Sequence, residues 1–80
     1  MVNAAAIVTP AQMRAARAWL GWSQDELSAR AGISKRSIAR YELGRSVPYT
    51  DTLVALQRTF ESAGIRFEFA GMIGKGISGP

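Results

Sequence analysis

Residues 22–45 read WSQDELSARAGISKRSIARYELGR, two short helical patterns with a tight connection between them. Ser23-Gln24-Asp25-Glu26 is a capping box. The Ser23 hydroxyl can accept from the third helical N–H, and Glu26 can reach back to the Ser23 N–H. The helix this starts has Leu27 and Ala31 as its apolar residues, and Gly32 ends it, because glycine tolerates the left-handed backbone that closes many helices. Ile33 can fill the corner with apolar surface. Ser34 is a second N-cap, opening a helix over 35–42 with Ile38 and either Tyr41 or Glu42 on its inward side, and Gly44 closes it.

A helix, a short glycine-containing turn and a second helix make a helix-turn-helix pattern. Lys35, Arg36 and Arg40 fall on the side of the second helix opposite Ile38. Cations at a helix N-terminus work against its dipole. A sequence tolerates that where an anion is expected, and phosphates and guanine edges are such partners.

Working outward, Thr9-Pro10-x-Gln12 opens the first helix with a cap, a proline suited to the first helical position and a capping-box glutamine. Met13, Ala16 and Leu20 recur at helical spacing as core positions, Arg14 and Arg17 lie off that stripe, and Gly21 stops the helix between Trp19 and Trp22, which read as packing anchors. Residues 1–8 read as a loosely packed lead-in, a disordered arm or a short strand. After the loop around Pro48, a last helix runs from Tyr49 or Thr50 to Ala63 with Leu53, Leu56 and Phe60 inward, and Gly64 ends it. At Ile65-Arg66-Phe67-Glu68-Phe69 the period changes to the alternation of a half-buried strand, and Met72-Ile73 and Ile77 can form a returning strand in the glycine-rich tail.

The spacing Ser23-Gln24-x-Glu26-Leu27-Ser28-x-x-Ala31-Gly32-Ile33-Ser34, with Ile38-x-x-Tyr41-Glu42-x-Gly44, resembles the Xre/Cro family, the helix-turn-helix domains of lambda-type phage repressors. The resemblance covers roughly residues 10–63 and implies a mainly α, four-helix lambda-repressor-like domain, here with a short C-terminal β-strand or hairpin. It implies a sequence-specific regulator of transcription that binds double-stranded DNA, with Lys35, Arg36, Ser37 and Arg40 at the base-reading positions. It places Gln24 against a backbone phosphate and bracing the recognition helix, with Ser23 beside it and Arg45 after the helix-ending glycine as further phosphate contacts. Arg17 is another candidate for the DNA backbone. Leu43 stands where phage repressors often carry a polar residue. Glu42 reads as structural, pairing with an arginine such as Arg17 or Arg30.

Eighty residues allow one domain, read as an arm over 1–8, the DNA-binding domain over 9–63 and a strand or hairpin with its tail over 64–80. The net charge of +4 suits nucleic acid. The absence of cysteine excludes disulfides and zinc-thiolate sites, and without histidine the commonest general bases are gone too, so neither enzyme activity nor a metal or cofactor is expected. No stretch approaches the ~20 apolar residues that span a bilayer, and no signal peptide is read, which points to a cytoplasmic protein. A two-stranded hairpin is marginal alone. A second copy joined through Ile65, Phe67 and Phe69 would cover it; otherwise the strand folds back on its own helices and the tail is disordered. The competing function is an antitoxin-like or bridging module whose C-terminal strand binds a different protein.

Overall fold

The computed structural model describes residues 7–70 and 73–80. Four helices, α1 (Pro10–Leu20), α2 (Gln24–Ala31), α3 (Lys35–Glu42) and α4 (Thr50–Ser62), precede a hairpin of β1 (Arg66–Ala70) and β2 (Ile73–Ser78). The chain is mainly α, as the sequence pattern requires.

Local chemistry sets the helix bounds. Thr9 Oγ1 accepts from the Gln12 N–H at 3.1 Å and Gln12 Oε1 accepts from the Thr9 N–H at 3.0 Å, a complete capping box before Pro10. Ser23 and Ser34 accept from the N–H of Glu26 and Ser37. The second half of the α2 box does not form: Glu26 instead pairs with Arg30 one turn on, at 2.7 Å. The helix-ending glycines Gly21, Gly32, Gly44 and Gly64 all stand at positive φ.

The core is built from Met13 and Ala16 of α1, Leu27 of α2, Ile38 and Tyr41 of α3, Leu53, Leu56 and Phe60 of α4, and Ile65. Fully burying each large member contributes about 1.5–3 kcal/mol. Trp22 is the anchor its position suggests, stacked on Phe60 with ring centroids 5.6 Å apart and covered by the Arg30 guanidinium at 4.4 Å. Trp19 is not: it is half exposed, and its Nε1 donates to the Pro80 carbonyl at 3.4 Å.

The lead-in is a second correction. Val8 is fully buried and its carbonyl accepts from the Tyr41 hydroxyl at 2.6 Å, while Ile7 packs on the core. The rest of that segment, residues 1–6, lies outside the described residues, as does Met72. Residues 73–80 belong to the fold, and Ile77 of β2 packs against the same core.

The hairpin lies on its own helices. Phe67 meets Phe60 edge-on at 5.9 Å, and Gln12 Nε2 donates to the carbonyls of Glu68 (2.8 Å) and Gly76 (2.9 Å). The strands pair antiparallel, Glu68 with Gly76 and Phe69 with Gly74, so Lys75 is an extra residue in a bulge. Gly74 passes so close to α1 that a Cβ there would overlap the Gln12 amide and stand 2.7 Å from Thr9 Cγ2.

Candidate nucleic-acid interface

The outward face of α3 follows from helical geometry. At about 100° per residue, Ile38, Tyr41 and Glu42 share one side, and all three are buried. Arg36 and Arg40 lie opposite and are exposed. No acidic residue occupies the first turn, so the positive end of the helix dipole and the cations of Lys35 and Arg36 add together. Lys35 is exposed but paired with Asp25 of α2 at 3.3 Å. Ser37 sits half-buried on the flank, its N–H used in the Ser34 cap.

A polar hub fixes this helix from behind. The Glu42 carboxylate is almost fully buried and accepts from Arg17 Nε and Nη2, both at 2.8 Å, and from Gln24 Nε2 at 2.9 Å. Arg17 Nη1 donates to the Trp22 carbonyl at 3.0 Å, and Arg14 donates to the Glu42 carbonyl. Hydrogen bonding to Glu42 pushes the Arg17 pKa further up, so the guanidinium keeps its charge in the hub. One carboxylate thereby joins the end of α3, the start of α2 and the last turn of α1. Of the two arginines that could have paired with Glu42, Arg17 does so and Arg30 lies over Trp22.

The α2–α3 corner is held by Ser28 Oγ donating to the Ile33 carbonyl at 2.6 Å. Past α3, the N–H groups of Gly44 and Arg45 return to the carbonyls of Tyr41 and Arg40, each at 2.9 Å, a Schellman closure. The residue after the glycine in such a turn is often apolar and packs inward, as Trp22 and Ile65 do at the ends of α1 and α4. After α3 it is Arg45, exposed to solvent.

The residues singled out in the sequence thus fall into groups. Lys35, Arg36, Arg40 and Arg45 are exposed on α3 or just beyond it, and Ser23 is exposed at the start of α2. Gln24 and Arg17 are half-buried in the Glu42 hub. Ile65 and Phe67 lie in or against the core of their own chain, and Phe69 is half-buried in β1. Sequence reasoning missed Arg14, which caps α3, and Asp25, which pairs with Lys35 at the surface. An arginine one turn before Arg17 on the same helix was the available signal for the first; nothing in a linear pattern marks the second.

Helix bounds, corner and outward cations define a helix-turn-helix unit. The chain matches the helix-turn-helix family over residues 13–63, from α1 through α4, and it belongs to that family, in its Cro/C1-type, Xre-like form. It is a DNA-binding regulator of this class, and DNA is its partner. The hairpin lies beyond the matched segment. No match was found among curated proteins. Among the described residues no helix is long and apolar enough to cross a membrane.

Proposed function

We propose that the protein is a sequence-specific repressor of transcription that acts in the cytoplasm as a homodimer on an inverted-repeat operator. The observation that carries this is the outward face of α3, where Arg36 and Arg40 stand exposed opposite a fully packed inner face. In this reading α3 enters the major groove. Arg36 and Arg40 pair with guanine O6 and N7, Lys35 and Ser37 flank them, and Ser23, Gln24 and Arg45 hold phosphates. Arg17 has two N–H groups beyond the three used in the hub and can offer those to the DNA backbone. Repression follows from occupying promoter DNA.

The second copy docks at the free edge of β1. With the Ile65 and Phe67 side chains committed to their own core, the edge offers its main chain and Phe69. Exposed Arg66 and Glu68 flank Phe67. Antiparallel pairing of two β1 strands about Phe67 sets Arg66 of each copy opposite Glu68 of the other, and opposite charges across strands stabilise such pairs. This self-complementarity favours a second copy over a different protein at the same edge. Two-fold symmetry then sets the half-site centres about one helical turn apart, ~34 Å.

The experiment is a comparison of Arg36→Ala with the unaltered chain on preferred and scrambled duplexes. A base-reading Arg36 gives a loss of about 1–3 kcal/mol confined to the preferred duplex. An equal loss on both would make Arg36 a phosphate contact and remove it from sequence readout.

A further inference from the structure

We infer that Asp25 is a positioning residue for DNA recognition, holding the Lys35 ammonium for the neutral edge of a guanine and withholding it from phosphate. The inference rests on α3 being the helix that enters the major groove. Lys35 is the first residue of α3, at the end whose side chains reach base edges in helix-turn-helix docking. Its Nζ stands 3.3 Å from both Asp25 carboxylate oxygens. Asp25 lies in the first turn of α2, and the other acid of that turn, Glu26, is taken by Arg30. Among the described residues Arg36, Arg40 and Arg45 form no ion pair, so of the exposed cations on α3 and just beyond it Lys35 is the one with an acidic partner.

Both side chains of the pair are more than half exposed, at 55% for Lys35 and 74% for Asp25. Such a surface pair contributes little to folding. Its consequence falls on the ligand. An ammonium has three N–H donors, so with one on Asp25 two remain. Guanine O6 and N7 can take those, and neither carries a full charge. A phosphate on the same ammonium would stand close to the Asp25 carboxylate, and like charges at that range repel. Affinity for DNA of any sequence comes from cations that neutralise phosphates and release counterions. Asp25 takes one cation out of that sum and leaves it able to read a base. It thereby widens the gap between preferred and arbitrary DNA.

The test titrates the preferred duplex and a scrambled one with the full chain across a salt series. Asp25→Asn keeps the shape and removes the charge. On the scrambled duplex its affinity should rise about fivefold at ~150 mM salt, and the slope of log affinity against log salt should steepen by about 0.9, the worth of one phosphate contact. Affinity for the preferred duplex should change little, so the preference falls by the same factor. Lys35→Ala in the Asp25→Asn background should abolish the gain, and Asp25→Glu should keep the preference of the unaltered chain. Because the expected effect is a gain, a poorly folded variant cannot imitate it. Unchanged or weaker binding to the scrambled duplex, an equal gain on both duplexes, or a gain that survives Lys35→Ala would each overturn the inference. If the unaltered chain prefers no duplex at all, base reading by α3 fails first and takes this inference with it.

Discussion

Arg17 and Glu42 meet through two 2.8 Å hydrogen bonds, Nε to one carboxylate oxygen and Nη2 to the other. The pair spans α1 and α3, and Gln24 adds α2 to it. The angle at which α3 is presented therefore depends on a charge pair behind the helix, opposite the exposed Arg36 and Arg40.

Glu42→Ala should cost about 3 kcal/mol of stability. That is the low end for breaking a buried pair, because the Arg17 side chain keeps 20% of its surface in water. Arg17→Met combined with Glu42→Met should be more stable than Glu42→Met alone, since no buried charge is then left uncompensated. Urea unfolding of the singles and the double measures both.

Gln12 makes the second long-range tie. Its amide closes the α1 cap and holds the hairpin at its bulge. Gln12→Ala should cost about 2 kcal/mol, from lost hydrogen bonds and unsatisfied carbonyls, and the β1 and β2 amides should lose hydrogen-exchange protection before those of α2 and α3. Gly74→Ala should loosen the same amides, because the added Cβ meets Gln12 and Thr9.

Burial raises the Tyr41 pKa above its usual 10.0. The folded state therefore keeps the phenol proton after the unfolded state has released it. Stability from this group is complete below pH ~10 and falls as pH rises through the range between the unfolded and folded pKa values. Unfolding measured at pH 8 and at pH 10.5 should show the decline, and Tyr41→Phe should flatten it while lowering stability at both values by removing the bond to Val8.

The proposed β1–β1 contact has a charge signature. Arg66→Glu should weaken self-association by setting acids opposite each other across the two-fold. Arg66→Glu with Glu68→Arg should restore it. Sedimentation equilibrium distinguishes this from a monomer indifferent to either change.

Helix bounds and the inward face of α3 were legible in the sequence because caps and periodicity are local. The Thr9 and Gln12 box and the span Lys35–Glu42 appear as the spacing predicts. The other half of Gln12's role was not legible, since its partners Glu68 and Gly76 lie 56 and 64 residues away. Periodicity marks Phe67 as inward without saying into which core, and here Phe60 of the same chain supplies it. Glu26 shows the limit even of a local motif, for an arginine at i+4 competes with the backbone N–H for its carboxylate. The base-reading positions came from resemblance, and the structure adds which of those cations are already paired.

The most direct measurement is selection of bound duplexes from a random pool by the full chain at ~150 mM salt, where phosphate-only binding is weakened. Enrichment of an inverted repeat with guanine-containing half-sites whose centres lie ~34 Å apart is the expected result. A pool that emerges with no enriched sequence would contradict it.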